Sequence, residues 1–341
     1  MSFVYPSLKE SSLQICKELS RIPSESFRAI RQKRCANFLN YAIDPDTWHM
    51  NLNWANFCHQ RTCPICNYIC SCKWRMRLFS GFPRLLDDYP GYGFLFLTLT
   101  QKNCHLLEMR STIREMQKSW HRLAGRTKFP ALGYFKTLEV TRPYECFYAG
   151  QYLGCMGTKL IKFWQKELIS REVWDFRLWK QFPSELVHPH FHILMMVSPN
   201  YWRSGYLDHK DWVSNWRMAA RLDYQPWVHI QAVKDEEIKD SVFEISKYCV
   251  KVSDMSDRLG VMLMRRLHGF KLLTVGGVFT NYFDQRTLDQ IAETGEVGTE
   301  VKQAGVPLVY EWNDNFSKYD LARIGFINFK ANFSDVDCDE I

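Results

Sequence analysis

The sequence predicts an α+β protein with a mostly antiparallel sheet and flanking helices, preceded by a cysteine-rich region that binds a metal. Three observations carry this. Segments of strand and helix character follow in the order strand, helix, strand, strand, helix, strand, helix, which suits a sheet covered by helices. The stretch VHPHFHILMM sets His188, His190 and His192 at alternate positions directly before an apolar run, the period of a strand. Five cysteines, Cys58, Cys63, Cys66, Cys70 and Cys72, crowd one short window.

Composition bounds the rest. A chain of 341 residues, 46% hydrophobic and 15% aromatic, is globular rather than disordered and long enough for two or three domains. The net charge of +7 permits a nucleic-acid partner without requiring one. No stretch approaches the roughly 18 continuous apolar residues of a membrane span, and the first residues lack a secretory pattern. The chain is therefore read as intracellular and cytoplasmic. In a reducing compartment its 12 cysteines are not a disulfide framework, so clustered ones read as metal ligands.

Residues 1–45 are helical in patches. Helical spacing brings Arg28, Arg31 and Arg34 onto one side, as a solvated face or a phosphate-contacting patch. Residues 46–75 lack helical periodicity and read as loop and short hairpin held by a metal. FLFLTLT (94–100) has strand composition. An amphipathic helix follows over about 104–124, with Leu106, Met109, Ile113, Met116, Trp120 and Leu123 recurring every three or four residues and Gly125 as its stop. LGYFKTLEVT (132–141) is a second strand. The section after it lacks clear strand signals, and residues 160–182 within it have helical character. The histidine strand covers 188–197, followed by a helix at 208–221, a strand at 226–233, a helix at about 240–252 and a strand-like KLLTVGGVF. The tail is acidic. GCMGTK (154–159) lacks the spacing of a phosphate loop, so nucleoside triphosphate hydrolysis is not expected.

Residues two apart on a strand share a face, so His190 and His192 present two imidazoles to one ion while Phe191 turns to the core. Pro189 cannot donate to a sheet ladder and marks the strand's beginning, leaving His188 at the rim. Glu139, in the neighbouring-strand candidate LEVT, adds a carboxylate. Two imidazoles and one carboxylate with open positions suit Mg²⁺ or Mn²⁺, ions that polarise phosphates. In FEISKYCVK, Glu244 and Tyr248 stand at i and i+4 on one helical face. A tyrosine oxygen can attack phosphorus, with Lys251 one turn on to aid its ionisation and Glu244 to accept a proton. Cys58-x4-Cys63-x2-Cys66 has zinc-knuckle spacing, with Cys35, Cys70, Cys72 or His59 as the fourth ligand. Arg61, Lys73, Arg75 and Arg77, interleaved with Trp74, form either a DNA-contacting surface or an ordinary basic helix face.

The motifs FLFLTLT, LEVT, HPHFHILMMV and FEISKYCVK, in that order, resemble the HUH endonucleases. They are closest to the replication initiator (Rep) proteins of plasmids copied by the rolling-circle mechanism. LTLTQKN, WRMAARLDYQPWVHIQAVK and LLTVGGVF extend the resemblance over roughly 55–280. It implies an HUH-type sheet at 86–255, between an N-terminal helical and zinc-binding region at 1–85 and a C-terminal region at 256–341. It further implies that His190, His192 and Glu139 hold the divalent ion and that Tyr248 nicks one strand of single-stranded or hairpin DNA at an origin. The protein would remain on the 5′ phosphate and free a 3′-OH primer for the host helicase and polymerase. The subtype with one tyrosine and a glutamate four residues earlier gives Glu244 the task of activating water at termination. Cys35 matches an upstream cysteine of the family and is favoured as fourth zinc ligand. The Trp-rich segment 143–186 departs from the family's pattern as a helical insertion. A transposase or relaxase with the same chemistry, or a zinc-stabilised nucleic-acid-binding protein without catalysis, are the other readings.

Overall fold

The computed structural model describes residues 4–43, 50–246, 257–283 and 306–324. Its largest sheet runs β10-β3-β9-β5-β11, all neighbours antiparallel, with the short β4 (Cys104–His105) pairing the start of β9. These strands are β3 (Gly93–Thr100), β5 (Ala131–Thr141), β9 (Leu186–Val197), β10 (Val228–Val233) and β11 (Leu273–Gly277). The histidine strand β9 is the middle one. Both of its faces are covered over most of its length, which explains the unbroken ILMMV run after His192.

The two faces have different covers. Leu95, Leu97, Phe191, Ile193 and Met195 face α4 (Met109–Ala124) and α7 (His209–Ala220), whose Met116, Trp120, Trp212 and Trp216 are fully buried. Burying each such large side chain is worth about 1.5–3 kcal/mol, so this layer holds most of the fold's cohesion. On the opposite face, Phe94, Phe96, Phe135, Leu194 and Met196 pack against the second half of α3 (Pro64–Asp88) and α8 (Ile238–Ile245). Phe279 and Phe283 close that layer. They reach it because Gly277, at φ 63°, turns the chain where a Cβ would collide with the Leu132 carbonyl.

A second sheet, β13-β12-β1-β2, joins the two ends of the chain. It pairs β1 (Phe38–Ile43) with both β2 (Met50–Ala55) and β12 (Val306–Asn313), and β12 with β13 (Lys318–Ile324). The chain beyond 255 thus contributes β11 to the central sheet and β12 and β13 to the N-terminal one. Ahead of β1 lie α1 (Val4–Ser20) and α2 (Ser26–Lys33), the helical patches expected there.

Three expectations need correction. Residues 64–75, expected as loop, are the first half of α3: Pro64 sits at its first position, where a missing N–H costs nothing, and Ile65, Cys66, Ile69 and Cys70 make a buried stripe. Cysteines in a metal-binding pattern masked that helical periodicity. The 143–186 insertion is not mainly helical. Its helix α5 spans Thr158–Ser170 only, beside a three-stranded sheet of β6 (Tyr144–Tyr148), β7 (Gln151–Met156) and β8 (Trp179–Pro183). The β6–β7 turn places both Ala149 and Gly150 at positive φ, a tight hairpin turn that Asn-Gly would have advertised and Ala-Gly does not. Finally, the helix expected from 104 begins at Met109, because Cys104 and His105 pair with β9. The helix expected over 240–252 is described as α8 to Ile245; its remainder lies outside the described residues. The last helix of the described chain, α9 (Arg258–Arg266), packs its Val261, Leu263 and Met264 on the α4 side. Among the described residues no helix is long and apolar enough to cross a membrane.

Candidate metal centre and its surroundings

Register, not proximity in sequence, assembles the site. Glu139 of β5 lies directly opposite His190 of β9, and Thr137 opposite His192; the long insertion between the strands leaves this pairing intact. On the other flank Thr98 and Thr100 of β3 stand opposite His192 and His190. Directly paired residues share a face, so all six project on the α3/α8 side where that hydrophobic layer ends.

Each imidazole is oriented by its second nitrogen. His192 Nδ1 lies 3.0 Å from Thr98 Oγ1, and its Nε2 lies 3.1 Å from Glu139 Oε2. His190 donates from Nδ1 to the His188 carbonyl at 3.1 Å and directs Nε2 to the same Glu139 oxygen at 3.5 Å. Three ligand atoms converge, and neither ring can turn away without losing a hydrogen bond. Burial alone would raise the Glu139 carboxyl, yet the two imidazoles hold it well below the usual carboxylate range. An octahedral ion with bonds of about 2.1 Å sets adjacent ligands about 3 Å apart, and the Glu139 oxygen lies 3.1 and 3.5 Å from the two imidazole nitrogens, with all three atoms within 4.8 Å of one another.

His188 is not at the beginning of its strand as expected: β9 starts at Leu186 because β4 pairs with its first residues. Pro189 lies inside it opposite Val140, and His188 lies opposite Thr141 with its Nδ1 2.9 Å from Asn103 Oδ1. Burial and the neighbouring His190 push its pKa down to about 4, so it stays neutral at physiological pH. Glu244 is half-buried on α8, whereas Tyr248 and Lys251 lie outside the described residues.

The described residues on either side of 247–256, Ile245 and Asp257, bond to Thr137 of β5 and to Arg142 just beyond it. The Ile245 carbonyl, three residues before Tyr248, accepts a bond from Thr137 Oγ1 at 3.2 Å. At the other end Asp257, the N-cap of α9, receives Arg142 at 2.7 Å, three residues past Glu139.

The second cluster joins Cys35, Cys58, Cys63 and Cys66, all buried, in the N-terminal region. Three Sγ–Sγ separations are 3.6, 3.6 and 3.7 Å. Tetrahedral thiolate ligation with metal–sulfur bonds of about 2.3 Å requires edges of about 3.8 Å, so four sulfurs fit one ion. Cys70 and Cys72 do not join the group, nor does His59. Among these thiols Cys63 is held well below its usual pKa, against its burial, by hydrogen bonds from Cys35, Cys58 and Cys66.

Several supporting residues escaped the sequence reading. Lys9 is fully buried, its Nζ donating to the Lys33 and Cys35 carbonyls at 2.7 and 2.6 Å and to Asn37 Oδ1 at 2.6 Å, which fixes the approach of Cys35. Arg31 donates to the Cys58 carbonyl at 2.9 Å, and Arg28 pairs with Glu25 at 3.1 Å, so two residues of the expected basic patch are engaged in the fold. Arg61 is likewise not on an open basic face: it is buried, reaching the carbonyls of Leu267 and Phe270 beyond α9. Arg75 lies over the Phe243 ring of α8 and Arg77 over Trp74. The threonines had a faint signal, since FLFLTLT exchanges apolar for hydroxyl residues on one face toward its end.

Comparison with known proteins identifies the family. A family model described as "Replication protein" matches residues 49–320. Among curated proteins, a "Protein rep" of Bacillus amyloliquefaciens is 26% identical over 330 residues, covering 86% of this chain and 84% of that relative. A "Protein rep" of a Bacillus species is 29% identical over 244 residues, 65% of each chain, and one of Streptococcus pneumoniae is 25% identical over 311 residues, 87% and 85%. No solved structure matches. The chain belongs to the replication-protein family, and the resemblance of its motif order to the Rep initiators of rolling-circle plasmids holds.

Proposed function

We propose that this protein initiates plasmid replication by nicking one strand of origin DNA through Tyr248, with His190, His192 and Glu139 holding a divalent cation. The observation that supports the reading is the convergence of Glu139, His190 and His192 on one face of the central sheet, in a chain of the replication-protein family. A tyrosine nucleophile and a cation site on the sheet are the two parts an in-line displacement at phosphorus needs.

In the step proposed, Tyr248 Oη attacks the scissile phosphorus. The Oη–P bond forms as the P–O3′ bond breaks, and the phenol's proton is balanced by protonation of the departing 3′ oxygen. The 5′ phosphate stays on the protein, and the free 3′-OH serves as primer. Mg²⁺ or Mn²⁺, when bound, supplies charge neutralisation of the phosphate oxygens. Thr98 and the His188 carbonyl keep both Nε2 atoms aimed at that position. Lys251 assists ionisation of the phenol, and Glu244, half-buried on α8, takes a proton from water when the covalent bond is later hydrolysed. The bond energy is conserved in the phosphotyrosine, so no nucleotide hydrolysis is required.

Cys35, Cys58, Cys63 and Cys66 fit a structural zinc, the ion favoured by four thiolates in a closed tetrahedron. It would lock the start of α3, whose far half forms the roof of the catalytic face. Single-stranded origin DNA with Mn²⁺ should yield a covalent adduct. His190→Ala combined with His192→Ala should abolish cleavage while origin binding persists; cleavage at the wild-type rate would refute the cation assignment.

A further inference from the structure

The sheet face beside the candidate centre continues outward to an aromatic surface that the steps above do not use. In β10, His229 lies opposite Thr98, which in turn lies opposite His192. One position earlier than the paired strand, the Trp227 carbonyl accepts a bond from Thr100 Oγ1 at 2.8 Å, and Thr100 is opposite His190. Trp227 and His229 are two apart, and their rings lie within 11° of parallel at 6.0 Å. Trp227 is nevertheless 61% exposed, although its neighbours Pro226 and Val228 are buried and hold the backbone in place. A fixed backbone carrying an exposed, flat aromatic pair is a surface prepared for a planar ligand.

A cation stands at the same end. The loop leaving β3 brings the Lys102 ammonium to 4.1 Å from the Tyr224 ring, and the Lys102 backbone N–H donates to the Tyr224 hydroxyl at 2.9 Å. The next residue, Asn103, contacts His188 of the histidine strand. Lys102 is therefore tied on one side to the aromatic segment and on the other to the metal-facing strand.

The geometry points to a base-stacking subsite, formed by Trp227 and His229 with Lys102 for the backbone phosphate, that grips one nucleotide of the single strand beside the bond to be cut. The inference rests on the nicking reading above and adds the residues that hold the strand. Two strand spacings separate β10 from β9, placing the aromatic pair about 10 Å from His190. At roughly 3.4 Å per stacked nucleotide, the held base is within about three nucleotides of the scissile phosphate. Stacking on an aromatic face suits any base, so the subsite supplies affinity and placement rather than sequence choice.

The test uses the full chain and two labelled 15-mers, oligothymidylate and an abasic strand of equal charge, with anisotropy as readout. Trp227→Ala should weaken oligothymidylate binding about tenfold and leave the abasic strand unaffected, and Trp227→Phe should recover most of the loss. Equal weakening of both strands, or of neither, overturns the proposal; the latter is also the result expected if the aromatic pair docks a protein. Adduct formation on origin DNA separates this inference from the one beneath it. If wild type forms no adduct yet Trp227 still discriminates bases, the nicking reading fails and the subsite stands. If wild type forms the adduct and Trp227→Ala alters neither base discrimination nor the oligonucleotide concentration for half-maximal rate, the subsite fails alone.

Discussion

Replacing Thr98 by Val tests how the proposed metal centre is oriented without touching a proposed ligand. The side chains are nearly isosteric and both favour strands, so β3 should keep its register. What is lost is one acceptor, the Oγ1 that lies 3.0 Å from His192 Nδ1 at a position only 6% exposed. For Nε2 to offer its lone pair to a cation, Nδ1 must carry the proton and donate it to Thr98. With valine there, that N–H is buried unpaired at a cost of about 1–3 kcal/mol, and the imidazole gains by moving the proton to Nε2, where it blocks ligation. At 1.4 kcal/mol per tenfold, the Mn²⁺ dissociation constant should rise about 5- to 140-fold, which spans the roughly 10- to 100-fold typical of outer partners of metal-binding histidines. Calorimetric Mn²⁺ titration reads this directly, and nicking should recover at saturating metal. Thr98→Ser, which restores the hydroxyl, should bind as wild type. Unchanged Mn²⁺ affinity in Thr98→Val would refute the claim that His192 ligates through Nε2.

Three further outcomes follow from the same structure. Cys63→Ser should remove about one equivalent of zinc per chain, measurable by atomic emission, and lower the thermal midpoint by several degrees; full zinc content would show the four sulfurs are not its site. Lys136, buried in β5 over the Phe191 ring, has its pKa lowered to about 8 by burial. The unfolded chain therefore binds the extra proton between about pH 8 and 10.5, and stability rises with pH across that window. Lys136→Met should accordingly exceed wild type by up to about 3 kcal/mol at pH 7, less what the aromatic ring returns, with the gap closing above pH 10; a pH-independent gap in urea midpoints contradicts this. Glu244→Ala should still nick but release the covalent product at least tenfold more slowly in a single-turnover assay, and unchanged release would remove Glu244 from the termination step.

The central sheet was legible because its strands obey local rules. The alternation in VHPHFHILMM and the strand composition of FLFLTLT and LGYFKTLEVT come from residues whose burial follows period two, and α4 announced itself by its apolar spacing. The grouping of Glu139 with His190 and His192 was legible only through motif order, since register between strands 50 residues apart leaves no mark in either strand. The first half of α3 was hidden because cysteines serve both as buried helix residues and as ligands. The insertion's sheet was hidden because its turn uses Ala149 at positive φ, which the residue type does not signal. The pairing of β1 with β12 could not be read at all: it joins segments more than 260 residues apart, and only tertiary packing specifies it. Lys9, Arg61 and Thr98 were missed for a related reason, because each acts on a partner that folding alone brings near.

The account's central claim is that Tyr248 becomes joined to DNA beside the Glu139–His190–His192 centre. The most direct measurement is peptide mapping of the covalent adduct formed on 5′-labelled single-stranded origin DNA with Mn²⁺, for wild type and Tyr248→Phe. The account predicts a phosphotyrosine at Tyr248 in wild type, and for Tyr248→Phe no adduct despite wild-type origin binding. An adduct that survives in Tyr248→Phe, or that maps to another residue such as Tyr224, would contradict it.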